Sequence, residues 1–239
     1  MVDLSKMTKE TMGKVFDYAI LPKDTTEQKV RDGAKEAIKW NCAAMYVSSS
    51  FWIPTVVEEL AGTDVLPACG INFAWGSGSP AVKEFETAEA VKLGAKSVDL
   101  SVNVGAVKDR KADVVRDELK RFKGAAGSAL TKGIIEMCFL SDDDIKFVCE
   151  LLAECNIDYM KTATGQFEGP SMNQFLVAKE ALKDTPVKLK VSGVKYPRPQ
   201  NAYAFLLAGA DLIGTRAAPE IIGALDQMRS IGLVPAYKG

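Results

Sequence analysis

The sequence predicts an α/β fold, a closed (β/α)8 TIM barrel, on three observations. Eight short apolar, β-branched segments recur along the 239 residues, their starts lie roughly 20 to 36 residues apart, and stretches of helical periodicity separate them. Each spacing is about the size of one βα repeat, and eight repeats in about 250 residues is the usual size of this barrel. An open doubly wound sheet is the competing architecture. No linker, low-complexity tract or short-period repeat interrupts the chain, so residues 1–239 are expected to form a single domain.

In order, the strand candidates are KVFDYAIL, AAMYVSS, DVLPACGINF, KSVDLSVN, KGIIEMCF, DYMKTATG, VKLKVSG and ADLIGTR. Between them, Val82, Phe85, Ala88 and Val91 form one apolar stripe at helical spacing, and Ile145, Val148, Leu152 and Cys155 form another. Ser141, followed by three aspartates, is a good start for the second helix, because its hydroxyl can cap free N–H groups and acidic charge suits that end of the dipole.

Composition narrows the function. With 47% hydrophobic and 26% charged residues the chain can bury one sizeable core. Thirty basic residues balance 31 acidic ones without a basic stripe, so neither nucleic acid nor a membrane surface is an implied partner. The start, MVDLSKMTKETMGKV, has no apolar signal core, and no apolar run approaches a membrane span. Cys42, Cys69, Cys138, Cys149 and Cys155 are odd in number and show no CxxC spacing, which points to free thiols and a cytoplasmic setting. Histidine is absent. That removes the commonest transition-metal ligand and the commonest general base, and with them zinc aldolases, Ser-His-Asp hydrolases and HExxH enzymes. No metal and no cofactor is implied.

Strand residues alternate between faces, so parity assigns the interior. If Val98, Leu100 and Val102 meet the helices, then Ser97, Asp99, Ser101 and Asn103 point inward. By the same rule Lys188 and Lys190 point inward from VKLKVSG, and Tyr159, Lys161 and Ala163 from DYMKTATG. A lone strand lysine is usually a solvated edge residue. Two lysines and an aspartate inside a barrel, near the strand C-termini where this fold does its chemistry, are a functional set, because an unpaired buried ammonium costs several kcal/mol. An amine is nucleophilic only when neutral, and burial beside a second cation lowers its pKa from about 10.4. Lys161 is then a candidate nucleophile, Lys190 the neighbouring cation, and Asp99 a carboxylate that passes protons through water. The natural product is an iminium with an aldehyde or ketone, and from it an enamine.

At these residues the sequence resembles the deoxyribose-phosphate aldolases. The similarity runs along essentially the whole chain in register, through FDYAILP, GAKSVDLSVNVG, GIIEMCFLSDDDI, DYMKTATGQ, KLKVSG and AGADLIGTR. It implies a class I aldolase, working without a cofactor, that interconverts 2-deoxyribose 5-phosphate with acetaldehyde and glyceraldehyde 3-phosphate. Motif by motif, Lys161 matches the Schiff-base lysine, Lys190 the pKa-lowering lysine and Asp99 the proton-relay carboxylate. The phosphate is expected near Gly165, Ser192, Gly193, Gly214 and Thr215, with Arg216 beside them. Barrels of this kind often form homodimers, although no interface patch stands out in the sequence.

The chain departs from the family around the substrate. Asp17-Tyr18-Ala19 replaces DHT, Asn72 to Gly76 replaces GFPxG, Val194 replaces the second glycine after Lys190, Arg216 replaces a small hydroxyl residue, and Val194 to Pro199 is one residue longer. Lys195, Arg198 and Arg216 together suit an anionic group, though ordinary surface charge accounts for Lys195 and Arg198 equally well. By parity Glu136 points inward, to pair with a buried lysine. Trp52, Phe73 and Trp75 line either the mouth or the core, and Tyr237 is either a proton donor or a frayed terminus. Three alternatives stay open: a related Schiff-base aldolase with another anionic acceptor, a phosphosugar isomerase or epimerase, which leaves the paired lysines unexplained, and a sugar-phosphate-binding barrel without turnover.

Overall fold

Short β-branched runs become strands only where neighbours complete their hydrogen bonds, and here each run finds a parallel neighbour on both sides. The computed structural model describes residues 2–239. Its strands are β1 (Phe16–Ile20), β2 (Ala44–Val47), β3 (Leu66–Ile71), β4 (Ser97–Ser101), β5 (Leu130–Ile134), β6 (Tyr159–Lys161), β7 (Lys188–Ser192) and β8 (Leu212–Thr215). They follow one another around a closed barrel, and β8 pairs with β1. All eight segments read from the sequence are strands, and helices connect them.

The helices begin where capping residues stand. The Ser141 hydroxyl accepts from the Asp144 N–H while the Asp144 carboxylate accepts from Ser141, which starts the helix Asp142–Glu154 as expected. Ser171 forms the same reciprocal pair with Gln174, and the hydroxyls of Thr26 and Ser79 cap two other helices by accepting from the N–H groups of Lys29 and Val82. The apolar stripe Ile145, Val148, Leu152 and Cys155 is buried against the barrel.

The stripe on Pro80–Lys92 runs the other way. Val82 and Phe85 are 54% and 74% exposed, whereas Lys83, Thr87 and Ala90 are buried. A satisfied ammonium explains the inversion. Lys83 Nζ donates to Glu118 (2.6 Å) and to the carbonyls of Gly76 (2.6 Å) and Ser101 (3.0 Å), so its inward position carries no orphaned charge.

Outward-facing Val98, Leu100, Met160, Val191 and Ile213 pack under the helices in the main core. The interior divides in two. Ala19, Ala44, Tyr46 and Ala68 form a small apolar cluster on the β1–β3 side; the charged residues described below, with Ile134 among them, lie on the other. The C-terminal tail is tied at the end where β1 begins: Lys238 N–H donates to Ser5 O, and Arg229 donates to the Leu4 and Met7 carbonyls while lying 5.4 Å from the Tyr237 ring. Tyr237 is therefore held at the end of the barrel opposite the strand C-termini. Among the described residues no helix is long and apolar enough to cross a membrane.

Candidate active site

Strand register brings the inward ionic residues into two stacked layers. Asp99 on β4 is level with Lys132 on β5, and Lys161 on β6 is level with Lys190 on β7 and Ile134 on β5. Asp17 reaches the group from β1. All five charged side chains are at most 3% exposed. Asp99 Oδ2 accepts from Lys161 (2.9 Å) and Lys190 (2.8 Å), and Lys190 also donates to Asp17 Oδ2 (2.5 Å). From the lower layer Lys132 Nζ lies 3.3 Å from both Asp17 and Asp99, and it donates to Ser97 Oγ. Asp99 Oδ1 accepts no hydrogen bond, so the Lys132 contact there is an ion pair without hydrogen-bond geometry.

The charge count singles out one amine. Two aspartates with Lys132 and Lys190 balance to zero, which leaves Lys161 as the fifth group. Burial pushes the Lys161 ammonium down, Lys190 and Lys132 add repulsion, and Asp99 only partly opposes them; the pKa falls to about 8. Burial pushes Lys132 the same way, but the two aspartates overcome it and hold its pKa above the ordinary range. Asp99 and Asp17 are held below theirs, because the lysines outweigh desolvation.

A cavity of about 360 Å³ opens over this cluster at the strand C-termini. Lys161, Lys190 and Asp17 line it, while Lys132 and Asp99 lie beneath. All the positions expected to hold an anion, Gly165, Ser192, Gly193, Gly214, Thr215 and Arg216, line the same cavity. Gly193 takes φ +78° and packs so that an added Cβ would sit 2.8 Å from Gly169 Cα, a turn that only glycine fits. Of the uncertain cations, Arg198 lines the cavity and Lys195 does not; Lys195 pairs with Glu168 at 2.6 Å on the surface.

Several residues stand elsewhere than the sequence suggests. Lys188 keeps the inward parity, its ammonium 5.6 Å from the Tyr159 ring centroid, but at the start of β7 it is exposed and takes no part in the cluster around Lys161. Asn103 leaves the barrel and caps the helix Val104–Lys108. Glu136 lies beyond β5 at φ +51° and accepts the Thr164 N–H with both oxygens instead of pairing with a lysine. Of the two places open to Trp75 it takes the mouth and not the core: it is 78% exposed and meets the Phe167 ring edge-on.

Sequence reasoning did not assign Lys132, Asp17 or Tyr46 to the site. The parity that exposed Lys161 would have marked Lys132, which shares its face with Ile134. Asp17 shares its face with Ala19, an alternation that was equally readable.

The family model described as DeoC/LacD family aldolase matches residues 11–195. Deoxyribose-phosphate aldolase 1 of Mesoplasma florum is 32% identical over 88% of this chain and 95% of its own length. The deoxyribose-phosphate aldolase of Streptococcus suis is 34% identical over 88% of this chain and 95% of its own. Among solved structures, a putative deoxyribose-phosphate aldolase from Coccidioides immitis superposes with TM-score 0.87 at 23% identity, covering 95% of this chain and 87% of that one, a likeness of fold. By the family model and these relatives, the chain belongs to the DeoC/LacD family of aldolases, enzymes that make and break carbon–carbon bonds.

Proposed function

We propose that the chain is a class I aldolase that reversibly cleaves 2-deoxy-D-ribose 5-phosphate to acetaldehyde and D-glyceraldehyde 3-phosphate. One observation carries the reading: Lys161, an amine with its pKa near 8, lines the cavity in a cluster that is neutral without it. The Lys161 amine adds to C1 of the open-chain sugar and loses water to give an iminium. Removal of the C3 hydroxyl proton breaks the C2–C3 bond, the electron pair flows into the iminium, and the triose phosphate leaves an enamine on Lys161. Protonation at C2 and hydrolysis release acetaldehyde. Asp99 bonds both Lys161 and Lys190 through one oxygen, which provides a hydrogen-bonded route for protons that water completes. Lys190 holds the neighbouring positive charge.

In the same reading the phosphate sits against Gly165, Ser192, Gly193, Gly214 and Thr215, with Arg216 and Arg198 supplying charge. Those two guanidiniums and the bulk of Val194 also favour a second reading, an aldolase of the same mechanism with another anionic acceptor. A cytoplasmic setting fits the five free cysteines. A homodimer fits the exposed Val82 and Phe85, and sedimentation would test it.

Incubation with acetaldehyde and borohydride should leave a reduced adduct on Lys161, read by peptide mapping. Label found on Lys190 alone, or on no lysine, rejects the assignment. Cleavage of deoxyribose 5-phosphate, followed by coupled detection of the triose phosphate, tests the substrate, and activity is expected to survive exhaustive chelation.

A further inference from the structure

We infer that the face of the Tyr46 ring is a catalytic element of this site, stabilising the positive charge that forms on the Lys161 nitrogen when the iminium is made. The inference rests on the Schiff-base reading above and adds a group to it. Lys161 Nζ lies 4.2 Å from the Tyr46 ring centroid and Lys190 Nζ lies 5.1 Å from it. Both are within the distance at which the negative face of an aromatic ring attracts a cation. Tyr46 lines the cavity, is 1% exposed, and sits at the boundary between the apolar and charged halves of the interior.

The seat of this ring is built. An added Cβ on Gly70 of β3 would lie 2.6 Å from the Tyr46 hydroxyl and 2.6 Å from Phe73 Cβ, so the neighbouring strand omits a side chain where the phenol passes. Phe73 meets the ring edge-on at 6.1 Å. The hydroxyl itself is buried and makes no hydrogen bond. A tyrosine whose polar end is unpartnered, and whose face covers two ammonium groups, is acting through its ring.

The chemistry decides where the ring matters. Above pH 8 or so, Lys161 is a neutral amine before reaction and a cation after it, so cation–π attraction appears only in the iminium and favours its formation. Well below pH 8 the resting nitrogen is already an ammonium, the attraction is present before and after, and it cancels. The same attraction steadies the resting ammonium, so the ring also holds the Lys161 pKa higher than burial alone would leave it.

The test is the pH profile of kcat/KM for deoxyribose phosphate cleavage in wild type, Tyr46→Phe and Tyr46→Leu, together with borohydride trapping of acetaldehyde on Lys161. Tyr46→Leu should lower the high-pH plateau by roughly 10- to 30-fold, move the rising limb lower by the matching roughly 1 to 1.5 pH units, and leave the low-pH limb unchanged. Tyr46→Phe keeps the π face and should follow wild type. A leucine variant slowed equally at every pH, or a phenylalanine variant that behaves like leucine, overturns the inference. Should Tyr46→Leu fail to fold, phenylalanines of increasing fluorination at position 46 keep the shape and weaken the face. The plateau should fall stepwise with fluorination, and a plateau indifferent to it also overturns the inference. If wild type itself traps no acetaldehyde on Lys161, the Schiff-base reading has failed and this inference goes with it; normal trapping with an unresponsive ring defeats the inference alone.

Discussion

A buried lysine is a nucleophile only to the extent that its surroundings disfavour its proton. Lys161 meets three influences: burial and the cations Lys190 and Lys132 press its pKa down, and Asp99 pulls it up. Lys190→Leu removes one of the pressing charges and leaves Asp99 Oδ2 to Lys161 alone. The Lys161 pKa should rise, the rising limb of the rate should move to higher pH, and turnover at pH 7 should drop about tenfold for each unit of that rise. An unaltered pH–rate profile would remove Lys190 from the mechanism. Arg216 tests the substrate rather than the chemistry. It lines the cavity beside Gly214 and Thr215 and is exposed at its rim. A charge-assisted contact to an anion contributes about 1.5–3 kcal/mol, roughly 10- to 150-fold in affinity. Arg216→Ser should therefore raise KM for the true anionic substrate by that order with kcat little changed. An unchanged or lower KM for deoxyribose phosphate would show that Arg216 does not hold its phosphate, and a lower one would point to a different acceptor.

Strands and helices differ in how openly they announce what they bury. Alternation along β4, β6 and β7 was enough to place Asp99, Lys161 and Lys190 inside, because a two-residue period has only two faces to choose between. It failed at the strand ends: Asn103 and Glu136 keep the inward parity but lie beyond β4 and β5, where the backbone has turned. It also turns Asp17 and Lys132 inward, but it does not show that they meet, because β1 and β5 are brought together only by closure of the barrel. The helix Pro80–Lys92 misled for a different reason. Val82 and Phe85 of its apolar stripe face out, and the residues that face in include a lysine made acceptable by Glu118 on the helix Ala112–Ala126 and by two carbonyls, contacts that the stripe itself does not announce. That pair makes an element-level prediction. Lys83→Met should destabilise the fold by about 3–5 kcal/mol in urea unfolding, because it strands a buried carboxyl. Replacing Glu118 by Gln as well should recover a substantial part. If the double variant is no more stable than the single one, then Lys83 acts through the carbonyls of Gly76 and Ser101 and not through Glu118.

Across the whole molecule, the ionic cluster joins β1, β4, β5, β6 and β7, so its protonation is coupled to the closure of the barrel rather than to one element. Asp17 and Asp99 are both held below the ordinary carboxylate pKa of 3.8. A carboxylate depressed by folding contributes stability that is fully present above its unfolded pKa and is lost as pH falls through its folded one. In that interval the unfolded chain binds the extra proton, and each such group steepens the fall of unfolding free energy by up to about 1.4 kcal/mol per pH unit. Lys161, also depressed, acts in a separate window: between about 8 and its ordinary value the folded state gives up its proton first, so stability there rises with pH. The two windows can be separated by a variant that removes one anion and one cation together. Asp17→Asn with Lys132→Met leaves Asp99 against Lys190 and keeps the cluster neutral with Lys161 uncharged. Its stability at pH 7 should be closer to wild type than that of either single variant, since neither partner is left buried alone. Urea unfolding followed from pH 5 to pH 3 should then show a shallower loss than wild type, because one fewer depressed carboxylate takes up a proton on unfolding. An acid slope as steep as that of wild type would mean that Asp17 is not held ionised by this cluster, and that surface carboxylates set the acid limit of the fold.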